Sequence, residues 1–153
     1  MTNILEVTID LSRPSSQILE ITLTWQPKSK LQKFSLPIWT PGSYTVRDHS
    51  QHIYSINLSQ NNHSIPIKIT GTSTWESILV KMYPVSLTYL VEARNLTVRT
   101  SYLDSEFASL CLPSIIMEVE GFRHEKHYLK VITNNDWDVF VPLPNIGKKY
   151  LAN

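Results

Sequence analysis

Residues 18–25 have the sequence ILEITLTW, in which apolar and polar side chains alternate. Successive side chains of a β-strand point to opposite faces, so Leu19, Ile21, Leu23 and Trp25 share one face. Such alternation predicts a half-buried strand. The same period of two recurs in residues 4–9, 53–58 and 85–91.

Shorter alternating segments with turn signals between them extend this pattern along the chain. Further candidate strands cover residues 65–69, 97–102, 114–119, 128–132 and 137–141. Strands at this spacing predict an all-β fold, either a two-sheet sandwich or a saddle-like antiparallel β-domain. We expect at most one short helix, over residues 104–112, with Asp104 as its N-cap and Pro113 ending it.

Length and composition indicate one globular domain. The chain has 153 residues, 42% of them hydrophobic and 18% charged. Its 14 Lys and Arg against 13 Asp and Glu form no basic cluster, which argues against a nucleic-acid surface or an anionic-membrane surface. No apolar run approaches the roughly 20 residues of a membrane span, and residues 1–9 do not resemble a signal peptide, so we expect a cytoplasmic protein.

The end of the sequence differs in character from what precedes it. Residues 145–153 have no apolar alternation of their own. We therefore expect a β-domain over residues 1–144 and a tail, 145–153, that leads to a further domain.

The chain has a single cysteine, Cys111, so an intrachain disulfide and a cysteine-based zinc site are excluded. Its neighbours Leu110 and Leu112 are apolar, which favours a buried thiol that packs as a small hydrophobic group.

Two histidine clusters raise the question of a metal site. The sequence of residues 124–127 is HEKH, whereas the zinc motif of metallopeptidases places its histidines at i and i+4 on a helix. We expect a turn leading into a strand at this point. His49 and His52 also have i, i+3 spacing, which on a strand puts them on opposite faces. The alternative, a metal-dependent hydrolase that uses both clusters, predicts stoichiometric zinc in the purified chain.

The most distinctive stretch is residues 36–49, LPIWTPGSYTVRDH. Pro41 and Gly42 are typical of a tight turn, because proline fixes φ and glycine accepts a positive φ. One interpretation is a packed turn followed by an Arg47–Asp48 surface contact. The other is a docking edge, since rigid aromatic rings beside a guanidinium are common anchors at interfaces.

This stretch resembles the signature P-x-W-x-P-G-x-Y-x-x-R-D of the glycyl aminopeptidase family, HExxH zinc metallopeptidases that also carry a C-terminal PDZ domain. Residues 98–104, VRTSYLD, resemble a second family motif, V-R-T-x-Y-L-D. Trp75 and residues 136–144 also resemble family positions. The resemblance covers about residues 5–144.

The resemblance implies that the chain is the family's N-terminal β-domain, which packs beside a thermolysin-like catalytic domain. The family's zinc ligands and catalytic glutamate lie further along the chain, so we assign no catalytic residue and no metal ligand here; zinc is implied for the missing catalytic domain. We expect this domain to brace its own catalytic domain and to line the peptide cleft, with Tyr44, Arg47 and Asp48 as the binding residues.

One departure from the family concerns the segment after the second motif. Many members have an Asn-Gly loop there, whereas this chain has Cys111 to Ser114. Beyond it, alternation places Glu118 and Glu120 on one face, either as solvated groups or as an acidic lip for a substrate amine. The rival from another class is a free-standing β-sandwich adaptor that binds a protein or peptide without any peptidase partner.

Overall fold

The computed structural model describes residues 3–37, 49–94, 101–134, 136–147 and 149–152. Within these ranges the chain forms β-strands and three short 3-10 turns, at Pro14–Ser16, His49–His52 and Leu112–Ser114. The strands, β1 to β14 in order, are Ile4–Asp10, Ile18–Trp25, Leu31–Ser35, Ile53–Gln60, His63–Ile65, Lys68–Gly71, Thr74–Ile78, Val85–Glu92, Tyr102–Leu103, Ala108–Ser109, Glu118–Val119, Lys126–Ile132, Asn145–Ile146 and Lys149–Ala152. No helix in the described ranges is long and apolar enough to cross a bilayer.

The strands form three sheets. The large sheet has eight strands in the order β13-β14-β12-β1-β2-β8-β4-β5, and the small sheet has four in the order β11-β3-β7-β6. A two-stranded hairpin, β9–β10, forms the third. Neighbouring strands are antiparallel, with one exception: β1 and β12 run parallel, with Ile4 opposite Lys126. The all-β sandwich predicted from the sequence is thus confirmed.

The core lies between the large and small sheets. Alternate residues of β1, β2 and β8 point inward and are buried, as their period of two requires. From the small sheet, Phe34 and Trp75 stack with ring centroids 6.3 Å apart. The indole Nε1 of Trp25 donates a hydrogen bond to the buried side-chain oxygen of Gln32 at 2.8 Å, which satisfies both polar groups inside the core.

Several elements follow the sequence prediction closely. Residues 18–25 form β2 with the predicted inward set, and the strands predicted at residues 4–9, 53–58, 85–91 and 128–132 are present. Asn61 and Asn62 both have positive φ, 48° and 64°, which is the conformation of a two-residue hairpin turn. The predicted strand at residues 97–102 lies mostly outside the described residues.

Two predicted elements are replaced by other structures. Residues 65–69 are not one strand: β5 ends at Ile65 and β6 begins at Lys68 in the other sheet, with Pro66, which has no N–H to donate, between them. Residues 104–112, where at most one short helix was expected, form no helix other than the start of the 3-10 turn at Leu112–Ser114. The carboxylate of Asp104 instead accepts the N–H groups of Glu106 and Phe107 and closes the turn of the β9–β10 hairpin.

Residues 114–119 and 137–141 are mostly not strands. The first segment begins in the 3-10 turn ending at Ser114, and its strand is limited to Glu118–Val119. Residues 137–141 have no strand partner in the described part of the chain, although Trp137 and Val141 pack against the core. In residues 137–141 the apolar alternation thus indicates burial of side chains and not backbone pairing.

The tail and the cysteine also differ from expectation. Strands β13 and β14 extend the large sheet, where Leu129 lies opposite Tyr150, so they belong to the same β-domain. Backbone hydrogen bonds join β14 to β12 and β13 to β14, and such bonds do not require apolar alternation. Cys111 is half-buried rather than buried, and it forms no disulfide.

Candidate functional site

The predicted binding residues Tyr44, Arg47 and Asp48 lie outside the described residues, as does the Pro41–Gly42 turn. The two flanks of that segment are described. On one side, the N–H of the buried Leu36 donates to the carbonyl oxygen of Ser73 at 3.0 Å. On the other, the hydroxyl of Ser50 donates to the carbonyl oxygen of Thr72 at 2.8 Å. Both flanks are therefore attached to the turn between β6 and β7.

A charged groove on the outer face of the small sheet reaches the same turn. Its volume is about 850 Å³. It is lined by Lys33, Phe34, Ser35, Thr70, Thr74, Trp75, Glu76, Glu118, Glu120, Gly121, Arg123, His124 and Glu125. Because Phe34 points inward, its neighbours Lys33 and Ser35 point outward, and Lys33 lies opposite Glu76 on β7. We call this feature the acidic groove.

Two of the four glutamates of this groove, Glu118 and Glu120, are placed by strand β11 and the residue after it. Met117 and Val119 are buried while Glu118 and Glu120 are exposed, as the alternation predicted. Glu118 faces Ser35 across the strand pair and lies 3.9 Å from the guanidinium of Arg123. Both of those side chains are mostly exposed, so this ion pair contributes little stability and leaves the carboxylate accessible.

Glu125 at the edge of the groove is held by a lysine from the opposite loop. The ammonium of Lys28 lies 2.6 Å from the Glu125 carboxylate, donates to the carbonyl oxygen of Gly121 at 2.7 Å and stands 4.7 Å from the ring centroid of Phe122. This hydrogen bond from Lys28 lowers the pKa of Glu125. The groove is thus lined by four glutamates, two of which, Glu118 and Glu125, are paired with a cation.

The second family motif is described at Tyr102, Leu103 and Asp104. Besides the two backbone N–H groups, Asp104 accepts the hydroxyl of Tyr102 at 2.8 Å. The backbone N–H of Phe107, the Tyr102 hydroxyl and the N–H of Glu106 together lower the pKa of Asp104. The hydrogen bond to Asp104 in turn raises the pKa of Tyr102. The side chain of Asp104 is engaged in shaping the hairpin, which is a structural role.

Comparison with known proteins decides the family. The model of the peptidase M61 N-terminal domain matches residues 6–153. The chain belongs to this family.

Among solved structures, an aminopeptidase N family protein from Idiomarina loihiensis matches this M61 N-terminal domain with a TM-score of 0.83 and 25% identity. The match covers 97% of this chain and 27% of that chain, so the domain spans about a quarter of the related protein. The M1 zinc metallopeptidase from Deinococcus radiodurans matches with a TM-score of 0.47 and 10% identity, over 98% of this chain and 37% of that one. No curated protein matches.

The described part of this M61 domain does not fit a zinc ion. No group of three or more His, Cys, Asp or Glu side chains there is arranged to hold a metal. Residues 121–125 form turns before β12, as predicted for the HEKH segment, and Nδ1 of His127 lies 2.8 Å from the carbonyl oxygen of Glu125. His52 lies on the turn at His49–His52, but the side chain of His49 is outside the described atoms.

Sequence reasoning missed one residue that places the acidic groove. The hydroxyl of Tyr89, buried on β8, donates to the carbonyl oxygen of Ile115 at 2.5 Å and accepts the N–H of Met117 at 3.0 Å. It thereby fixes the backbone just before Glu118. Alternation marks Tyr89 as inward-facing, but no sequence signal identifies the partners of its hydroxyl.

Proposed function

We propose that this chain is the non-catalytic N-terminal domain of a zinc aminopeptidase that also carries a PDZ domain. The observation that carries the proposal is the family match over residues 6–153, nearly the whole chain. In this proposal the zinc ion and the catalytic residues belong to the catalytic domain of the full-length protein. This domain braces that catalytic domain and forms one wall of the peptide cleft, and the protein acts in the cytoplasm.

Within this proposal, Tyr44, Arg47 and Asp48 contact the peptide. Support comes from the two described flanks of their segment, which are bonded to Thr72 and Ser73 beside the acidic groove. A free peptide N-terminus is a cation, and carboxylates such as Glu118 and Glu120 attract it. A guanidinium, in contrast, pairs with carboxylate or carbonyl oxygens of a peptide. Together these groups would orient a peptide between opposite charges.

The experiment uses the full-length protein translated from the whole reading frame. Aminopeptidase turnover is measured with aminoacyl substrates for the wild type and for Arg47→Ala, with Arg13→Ala as the matched control. Arg13 is an exposed arginine whose ion pair with Glu20, at 3.6 Å, is on the large sheet. Loss of a charged hydrogen bond to substrate is worth about 1.5–3 kcal/mol, so kcat/KM should fall roughly 10- to 100-fold in Arg47→Ala.

Tyr44→Phe and Asp48→Asn should also lower kcat/KM, with zinc content and melting temperature unchanged. The Arg13 control should match the wild type. If Arg47→Ala retains full kcat/KM, the cleft role of this segment is wrong. If the reading frame encodes no HExxH region after residue 153, the peptidase proposal fails and the adaptor alternative takes its place.

A further inference from the structure

A second concave surface, apolar rather than charged, lies beside the β9–β10 hairpin. Its volume is about 330 Å³. It is lined by Ile9, Leu11, Ala108, Leu110, Leu112, Leu129, Val131, Thr133, Trp137, Asp138, Val139, Phe140, Val141 and Pro142. Ile9, Leu11 and Leu129 at its floor are buried residues of the core cluster. We call it the apolar groove.

One phenylalanine on the rim of this groove is exposed to solvent: Phe140 has 91% of its surface exposed. An exposed phenylalanine forfeits the free energy that its burial would contribute. An exposed aromatic ring on the rim of an apolar groove is typical of an interface.

The chemistry of the groove argues for apolar side chains as its occupant. Small-molecule sites combine an apolar pocket, of about 300 Å³ or more, with several convergent polar groups. This groove is at the lower end of that size, and Thr133 and Asp138 are its polar lining side chains. The family match indicates where such apolar side chains would come from. This is an N-terminal domain, and it covers 27% of the related Idiomarina protein. Most of such a polypeptide lies outside the domain.

We infer that the apolar groove, with Phe140 on its rim, docks apolar side chains from the remainder of its own polypeptide. The inference rests on the proposed function, because it takes the partner to be the catalytic domain. It goes further in naming the surface: the catalytic domain would cover the end of the sandwich that contains Leu110, Trp137 and Phe140.

The test is oxidative footprinting of the full-length protein, read by mass spectrometry at individual side chains. The rate of modification of Phe140 in the native protein is compared with its rate in the urea-unfolded protein. Val80 is the internal control, since it is 83% exposed in the domain and does not line the groove. Phe140 should be strongly protected, and Val80 should not.

A pair of matched variants then tests the docking energy. Phe140→Asp should shift the docking equilibrium by about tenfold or more toward the undocked form, which restores modification of the lining residue Trp137. Val80→Asp should leave the modification of Trp137 unchanged. Because Phe140 is exposed within the domain, its replacement costs the domain itself little packing, so both variants are expected to fold.

The outcomes separate this inference from the proposed function. Phe140 protection without any aminopeptidase activity would support the docking surface and refute the peptidase. Activity with Phe140 as reactive as Val80 would overturn the docking surface alone. Protection that disappears on dilution to a monomer would identify a second copy as the occupant, and protection that appears only with added peptide would identify substrate; either result overturns the inference. So would a reading frame with no further domain.

Discussion

The hydroxyl of Tyr89 offers a sharp test of how the two sheets are joined. It extends from β8 of the large sheet and bonds to the backbone of Ile115 and Met117, just before β11 of the small sheet. All three residues are buried. Replacement by phenylalanine removes one donor and one acceptor while it keeps the ring, so the change isolates the two hydrogen bonds.

The expected cost follows from the groups left without partners. A buried polar group that loses its hydrogen bond costs about 1–3 kcal/mol, and here one carbonyl and one N–H lose theirs. We therefore expect Tyr89→Phe to lower the free energy of unfolding by about 2–6 kcal/mol. For a domain of this size each kcal/mol shifts the melting temperature by about 2–4 °C, so the midpoint should fall by roughly 4–24 °C.

The measurement is equilibrium unfolding in urea, followed by tryptophan fluorescence. Tyr54→Phe is the matched control: Tyr54 is 37% exposed on β4, and its loss of a hydroxyl should change the unfolding free energy by less than about 0.5 kcal/mol. A cost in Tyr89→Phe no larger than that of the control would refute the reasoning that this hydroxyl joins the sheets.

Because of the buried hydroxyl of Tyr89, the stability of the fold should depend on pH in the alkaline range. Burial raises the pKa of Tyr89, while the hydrogen bond from the Met117 backbone opposes that effect. The phenol therefore stays protonated in the folded state at pH values where the unfolded chain, with a tyrosine pKa of about 10, has lost its proton. Its contribution is complete below pH 10, and stability declines as the pH rises above that value. Tyr89→Phe should show a shallower decline.

Three further predictions concern the turns and the core. Asn62→Val should lower the unfolding free energy by about 1–2 kcal/mol, because a β-branched residue is strained at a φ of 64°, while Asn62→Gly should not; urea unfolding compares the two. Asp104 has a lowered pKa, so the hairpin should be stable above the usual aspartate pKa near 4 and loosen as the pH falls further. The NMR chemical shift of the Phe107 amide should change with pH in this range, and that change should disappear in Asp104→Asn. Gln32→Leu should cost about 1–3 kcal/mol, since it leaves the indole N–H of Trp25 without its acceptor; a midpoint equal to the wild type would contradict this.

The parts of the fold that the sequence predicts well are those in which backbone pairing and side-chain burial coincide. Strand β2 is the clearest case, since its polar face is solvated and its apolar face is core. Residues 137–141 show where this reasoning fails, because Trp137 and Val141 pack on the core without a strand partner. The period of the apolar pattern alone cannot distinguish a paired strand from an unpaired segment that packs on the core. Pairing with β12 likewise determines β14, and a sequence does not reveal that partner.

The candidate site was predictable only in part. The exposure of Glu118 and Glu120 follows from the alternation of apolar and polar residues. The histidines of residues 124–127 are three positions apart, whereas the zinc motif requires four, and this can be read directly from the sequence. The apolar groove did not follow, because it depends on three segments that are distant in sequence meeting at one end of the sandwich. Tyr89 belongs to the same class: its partners are 26 and 28 residues away.

The most direct test of the central claim compares aminopeptidase turnover by the purified 153-residue chain with turnover by the full-length protein, each after zinc analysis. The account predicts that the full-length protein contains zinc and cleaves aminoacyl substrates, whereas the 153-residue chain has neither bound zinc nor turnover. Zinc-dependent cleavage by the 153-residue chain, free of contaminating enzyme, would contradict it.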